Sequence, residues 1–190
     1  MKKNLLIFLL LMLSLYVKAQ DSTAVKLPVK DGKVIYEGIV DITNKSKTEL
    51  YKNASQWFVD FFKSSKDVIQ NSDKEEGRIV GKGIAFIQIK IIGFTSEFPD
   101  LLTIQVDVKD NKYRYRIYDM QLSTETQNLN GFGTLYGRKF TAEDLISNVV
   151  DGKHIVLTKS ASKKTIIAID EKIKELIHSL NVAMNKSDSF

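Results

Sequence analysis

Two alternating segments on either side of a tight turn constrain the fold most. Residues 102–109 alternate apolar and polar side chains, and residues 112–119 do the same after Asp110-Asn111. Such alternation is typical of β-strands with one buried face, and both turn residues tolerate the positive φ of a two-residue hairpin. A register set by this turn predicts two sets of cross-strand pairs: Val108–Tyr113, Val106–Tyr115 and Ile104–Ile117 towards the core, and Asp107–Arg114, Gln105–Arg116 and Thr103–Tyr118 on the other face.

Three further strands are predicted upstream of this hairpin. Residues 34–42 alternate with one clearly apolar face, residues 67–72 form a short strand before a turn, and residues 78–92 form a long one. Residues 97–100 are predicted to form a loop. Runs of adjacent strands favour an antiparallel sheet with helices on one face.

Two amphipathic helices complete the pattern. A capping box at Ser46 and Glu49 opens a helix over residues 46–64, in which the Ser hydroxyl accepts from the Glu49 N–H and the Glu carboxylate reaches back to the Ser46 N–H. A second apolar stripe runs over residues 163–184. The order β-α-β-β-β-β-α predicts an α+β fold, with a five-stranded antiparallel sheet and two main helices packed on one face.

Bulky and small residues face each other across this predicted interface. The first helix presents Trp57, Phe58 and Phe61 on one stripe, while Gly81 and Gly83 lie on one face of the long strand. One reading is a groove between them that admits a small apolar ligand. The other is that the two sets interlock into a filled core, as protein interiors usually do.

The N-terminus predicts export. Two lysines precede an apolar run over residues 5–17, and the small residues Val17 and Ala19 occupy positions −3 and −1 of a cleavage site. This is the pattern of a secretory signal peptide at residues 1–19. The run is shorter than the ~20 apolar residues that cross a bilayer, and no later segment is apolar enough. A periplasmic or secreted protein without a membrane span is expected.

Charge and cysteine content narrow the classes of function. Lys2, Lys3 and Lys18 leave with the signal peptide and no acid does, so 28 basic residues become 25 against 23 acidic ones. This near-balance gives no electrostatic case for a nucleic-acid partner. The absence of cysteine excludes a thiol nucleophile, a Cys-ligated metal and a lipidated N-terminal Cys.

The predicted organisation is a single domain behind a cleaved leader. It comprises a signal peptide at 1–19, a polar leader at 20–30, one α+β domain at 31–184 and a fraying tail at 185–190. Within the domain, residues 121–162 are expected to be an irregular excursion with a short helix capped at Thr141.

No catalytic, cofactor or metal residue is assigned. The two histidines, His154 and His178, lie far apart and in no recognisable motif. Metal-ligand spacings and a nucleophile elbow are absent from the sequence. Gly131 to Gly137 lacks the spacing and the preceding strand of a phosphate-binding loop.

Arg114, Arg116 and Tyr118 form the candidate binding surface. Arginine and tyrosine together suit carboxylate, sugar or peptide partners. The alternative is that the arginines only pair across the sheet, which is the default for an alternating strand.

Several of these motifs occur together in one known family. The order of the motifs resembles a family of secreted Bacteroidetes proteins of unknown function with a TBP-like (TATA-binding-protein-like) fold. The stretches that carry the resemblance, within roughly residues 27–120, are Leu27-Pro28, Gly32 to Tyr36, Ser46 to Tyr51 with Trp57, Asp67 to Gln70, Glu75 to Gly83 and Tyr113 to Ile117. The resemblance implies a fold and export but no activity, and export separates the chain from chromosomal DNA.

The sequence therefore predicts an exported, non-enzymatic binding domain of the cell envelope. Its partner would be an envelope protein, a peptide or a small apolar ligand. The alternative is a periplasmic hydrolase-like enzyme, which would need a buried carboxylate of perturbed pKa beside Arg116, Tyr118 or His154.

Overall fold

The computed structural model describes residues 26–62, 68–91, 94–124, 127–128, 134–135, 137–152 and 157–187. Its elements in chain order are β1 (Val29–Lys30), β2 (Lys33–Val34), β3 (Tyr36–Asp41), α1 (Lys47–Phe62), β4 (Ile69–Asp73), β5 (Arg78–Ile91), β6 (Phe94–Lys109), β7 (Lys112–Ser123), β8 (Gln127–Asn128), β9 (Thr134–Leu135), β10 (Lys139–Thr141), α2 (Ala142–Asp151) and α3 (Lys159–Met184). The predicted signal peptide, His154 and residues 131–133 of the glycine-rich segment lie outside the described residues.

The main sheet is antiparallel and has six strands in the described part of the chain. Its order is β10-β7-β6-β5-β4, and β3 also pairs with β7. β3 pairs with residues 112–117 of β7 and β10 with residues 121–123, so the two short strands share one edge. The sheet is thus five strands wide, but the predicted count of five omitted β10, which comes from the segment expected to be irregular.

The β6–β7 hairpin has the predicted register. All six predicted pairs are present, from Val108–Tyr113 at the turn to Thr103–Tyr118. Asn111 adopts φ 61° in the turn, and its side-chain oxygen accepts from the Lys45 N–H at 3.1 Å. The hairpin turn therefore also holds the segment that leads into α1.

The prediction of a loop at residues 97–100 is wrong. β6 begins at Phe94, and Pro99 pairs with Phe86 of β5. Pairing of β6 with β7 starts only at Asp100, so Pro99 lies where β6 has one ladder partner instead of two. A proline is tolerated at such an edge because no second strand requires its missing N–H.

A β-bulge explains how β7 extends beyond its predicted end. Between Leu101 and Thr103 of β6, the β7 partners advance from Gln121 to Tyr118, which leaves an extra residue in β7. Asp119 takes φ 54° there. The bulge shifts the alternation by one residue, so Met120 faces the core although the sequence places it out of phase.

Side-chain caps define the helix ends. The Ser46 hydroxyl accepts from the Glu49 N–H at 3.2 Å as predicted, whereas the Glu49 carboxylate pairs with the Lys45 ammonium. The predicted short helix is present as α2, with a full capping box at Thr141. The Thr158 hydroxyl caps α3, which begins four residues before the predicted start.

The interface between α1 and β5 is filled by aromatic rings. A Cβ atom built on Gly81 would lie 2.5 Å from Cε1 of Phe58, and one on Gly83 would collide with the ring of Phe62. Trp57 packs edge-on against Phe58, with ring centroids 5.1 Å apart. The glycines therefore admit rings that any other residue would displace.

Helix α3 lies on the same side of the sheet and is tied to it by two tyrosines. The Tyr36 hydroxyl donates to Asp170 at 2.9 Å, and the Tyr113 hydroxyl donates to Asn181. Burial, followed by the hydrogen bond to Asp170, raises the pKa of Tyr36. Both phenols thus remain protonated donors throughout the physiological range. No helix among the described residues is both long and apolar enough to cross a membrane.

We expect Gly81→Ala to lower the free energy of unfolding by about 1–3 kcal/mol, because the added methyl overpacks against the buried Phe58 ring. Lys82→Ala is the matched control, since Lys82 is exposed on the opposite face of the same strand. Chemical denaturation would measure both. Equal stability of Gly81→Ala and the control would contradict the interlocked packing.

Candidate functional site

In the part of the chain that the structure describes, the helices cover one face of the sheet and leave the other uncovered. Alternate residues of β5, β6 and β7 are buried beneath α1 and α3, and the residues between them point the other way. We call this second surface the open face. It carries Arg78, Val80, Lys82, Ile84 and Phe86 from β5, Pro99, Leu101, Thr103, Gln105 and Asp107 from β6, and Arg114, Arg116 and Tyr118 from β7.

The predicted groove residues and the predicted surface residues lie on opposite sides of the sheet. Trp57 and Phe58 are buried in the core and Phe61 packs against it. Arg114, Arg116 and Tyr118 share the open face. The structure therefore brings the three surface residues together and places the groove residues in the packed interior.

Asp107 is the centre of a charged cluster on the open face. Its carboxylate accepts from Arg78 Nε at 2.7 Å, from Arg114 Nη2 at 2.8 Å and from Gln105 Nε2 at 2.9 Å. Partial burial works to raise the pKa of Asp107, but these three hydrogen bonds outweigh it and hold the pKa below its usual range. Asp107 is thus a fully used acceptor that neutralises two arginines.

Arg116 stands apart from this cluster. Its strand partners are Glu37 on β3 and Gln105 on β6. Its Nε atom is shielded from solvent and has no hydrogen-bond acceptor among the described residues. Glu37 is instead paired with Lys30 at 2.6 Å, and that hydrogen bond is the main cause of the lowered pKa of Glu37.

An apolar patch lies further along the open face. Ile84 and Phe86 are 50% and 53% exposed, and their β6 partners are Leu101 and Pro99. We call these four residues the apolar patch. The patch was not predicted from the sequence, because residues 97–100 were expected to be a loop. Ile84 and Phe86 do alternate with the small residues at 81–85, which is the signal that could have placed them outward.

A polar cleft of about 210 Å³ adjoins the patch at the β7 bulge. Acidic and basic side chains both line it. The lining residues are Lys33, Lys82, Leu101, Asp119, Met120, Gln121, Thr141 and Glu143. Lys82 therefore shares this cleft with the acidic residues Asp119 and Glu143.

Asp100 is a buried carboxyl group at a position where the sequence predicts a loop. It lies on the helix-covered face between Ala85 and Leu122 and is fully buried. Neither carboxylate oxygen has a hydrogen-bond partner of normal geometry among the described residues. Burial raises the pKa of Asp100 to about 7, and the backbone N–H of Gln121 opposes this shift only in part.

The described residues contain no group of three His, Asp or Glu side chains arranged to hold a metal ion. His178 lies exposed on α3. Asp100 is not beside Arg116 or Tyr118, because it faces the opposite side of the sheet.

The central part of the chain matches a known family model. The family model described as a domain of unknown function (DUF4468) with TBP-like fold matches residues 36–123, from β3 to the end of β7. The predicted resemblance to this family and the TBP-like α+β fold are confirmed.

Two solved structures support the same fold. The chain is similar to a TBP-like protein from Parabacteroides distasonis, with 23% identity, 85% of this chain and 98% of that chain covered, and a TM-score of 0.67. It is also similar to a DUF4468 family protein from Bacteroides ovatus, with 19% identity, 86% and 93% covered, and a TM-score of 0.65. No protein of curated function matches the chain.

Asp100 predicts a specific pH dependence of stability. The folded protein keeps this proton up to about pH 7, whereas the unfolded chain releases it near the ordinary pKa of 3.8. The folded state thus binds more protons between these values, and the free energy of unfolding falls as pH rises from about 4 to 7. The contribution lost is on the order of 4 kcal/mol.

Asp100→Asn should flatten this fall, because the amide does not titrate. Asp119→Asn, at an exposed position in the bulge, is the matched control and should keep the slope of wild type. Urea denaturation at a series of pH values measures all three proteins. An unchanged slope in Asp100→Asn would show that Asp100 is ionised in the folded state.

Proposed function

We propose that the chain is an exported, non-enzymatic binding domain of the bacterial cell envelope, and that its open face docks a protein or peptide partner. The carrying observation is the half-exposed pair Ile84 and Phe86, which lies on the same face as Arg116 and Tyr118. Aromatic and arginine side chains are the residues that most often anchor protein interfaces.

The geometry of the open face favours a macromolecular partner over a small enclosed ligand. The apolar patch lies on a sheet surface, and the aromatic rings of α1 fill the alternative space above Gly81 and Gly83. A contiguous exposed apolar patch rimmed by polar groups is typical of a protein interaction site. We therefore assign the envelope protein or peptide partner to the open face.

A nucleic-acid partner is disfavoured by the charges of this face. Two of its three arginines share Asp107 as acceptor, and a compensated guanidinium attracts phosphate less than a free one. Binding to DNA in the manner of a TATA-binding protein would also need apolar side chains that insert between base pairs beside a strongly basic surface.

A hydrolase-like enzyme is the second candidate, and the raised pKa of Asp100 is the observation that favours it. It ranks lower because Asp100 is enclosed between strands and faces away from Arg116 and Tyr118. A general acid must reach the substrate, which this position does not permit without rearrangement.

Export predicts a defined N-terminus. Protein recovered from the periplasm or culture medium of the native host should begin at Gln20, as read by intact mass. Ala19→Phe should block cleavage, because position −1 accepts only small residues, and Ala24→Phe is the matched control. Full-length protein confined to the cytoplasm would contradict the proposal.

The docking proposal predicts that binding depends on the apolar patch. Phe86→Asp should weaken capture of the envelope partner about tenfold or more, as expected for a central aromatic anchor. Val150→Asp is the matched control, because Val150 is also an exposed apolar residue, at 69%, but lies on α2. Cross-linking in envelope extracts, followed by quantitative mass spectrometry, compares them. Identical captured proteins from both variants would overturn the open face as the docking surface.

A further inference from the structure

We propose that Arg116 binds an acidic side chain of the partner, and that the partner presents this residue in an extended segment whose later apolar side chains cover the apolar patch. This inference rests on the proposed docking function and names the chemistry of the partner.

Arg116 is the open-face arginine to which Asp107 makes no hydrogen bond among the described residues. Asp107 accepts from Arg78 and Arg114, and Arg78 has a second acid in Glu76 at 3.1 Å. Gln105, which lies opposite Arg116, directs its amide nitrogen to both oxygens of Asp107 at 2.9 and 3.0 Å. The carboxylate has no remaining capacity for a third guanidinium.

In the free protein, the Nε–H donor of Arg116 is unsatisfied. Its Nε is shielded from water and bonded to nothing among the described residues. A buried unpaired donor is unfavourable, so a carboxylate that draws the guanidinium outward would remove that cost. Glu37, the strand partner of Arg116 on β3, attracts it through space, but the hydrogen bond of Glu37 goes to Lys30 and leaves this Nε unpaired.

The planar guanidinium group of Arg116 is well suited to bind a carboxylate. A guanidinium binds a carboxylate through two parallel N–H donors. Tyr118 lies two residues further along the same face of β7 and adds a hydroxyl group. Both groups donate, and the nearby Glu37 attracts Arg116 through space while its hydrogen bond goes to Lys30. A carboxylate of the partner would supply the acceptor that the Nε of Arg116 lacks.

The spacing of the site selects an extended peptide. Gln105, opposite Arg116, and Leu101 of the apolar patch are four residues apart on β6, which corresponds to roughly 13 Å of strand. An extended peptide spans this distance with four residues and places side chains i and i+4 on one face. The expected segment therefore carries Asp or Glu followed four residues later by an apolar residue.

Peptide titration of isotopically labelled protein tests this directly. The probe is a blocked heptapeptide, Glu-Thr-Thr-Thr-Leu-Thr-Leu, and its control has Gln in place of Glu. The chain has four arginines, Arg78, Arg114, Arg116 and Arg138, whose Nε–H signals can be followed by NMR. The Arg116 signal should move with the Glu peptide, while those of Arg78 and Arg114 stay in place.

Arg116→Gln should weaken binding of the Glu peptide about tenfold or more, the usual range for a charge-assisted hydrogen bond. Arg138→Gln is the matched control and should bind as wild type. Equal affinity of the Glu and Gln peptides, equal shifts of all four arginines, or no binding up to millimolar peptide would each overturn the inference.

Phe86→Asp separates this inference from the docking proposal. Loss of binding in Phe86→Asp with full binding in Arg116→Gln would leave the open face as docking surface and overturn the role of Arg116. Loss in Arg116→Gln with full binding in Phe86→Asp would support the acidic contact and remove the apolar patch from the site. Loss in both variants supports the two together.

Discussion

The contact between the rings of α1 and the glycines of β5 decides which face of the sheet is covered. Phe58 and Phe62 occupy the space that Cβ atoms at Gly81 and Gly83 would need, so α1 lies closer to β5 than ordinary side chains would allow. Once this face is closed, the alternation of each strand sends every intervening side chain to the open face. The position of the apolar patch therefore follows from packing on the far side of the sheet.

Ion pairs on the open face distinguish Arg116 from the other two arginines. Asp107 draws together Arg78 and Arg114 from strands on either side of its own, and Lys30 occupies Glu37. These pairs are exposed or half-exposed and contribute little to stability individually. They leave Arg116 as the open-face arginine whose buried Nε has no acceptor among the described residues.

The sequence predicted well where the signal is local and failed where tertiary context overrides it. The β6–β7 register between the turn and the bulge was predictable because the turn determines it, and the caps at Ser46 and Thr141 depend on residues three apart. Pro99 and Asp100 suggested a loop, yet pairing with β5 keeps them in a strand. The predicted surface residues share one face, but the patch beside them could not be found while its β6 half was assigned to that loop.

Periodicity determined most of the main strands and the two long helices, and together with the Asp110-Asn111 turn it determined the hairpin register and the outward direction of Arg114, Arg116 and Tyr118. Such features arise from backbone geometry over a few residues. Only the tertiary structure decided that Phe58 closes over Gly81, that Asp100 is buried beside Ala85 and Leu122, and that Asp107 accepts from Arg78 and Arg114. These outcomes depend on groups far apart in the chain, so neither burial nor hydrogen-bond competition can be read before the elements are packed together.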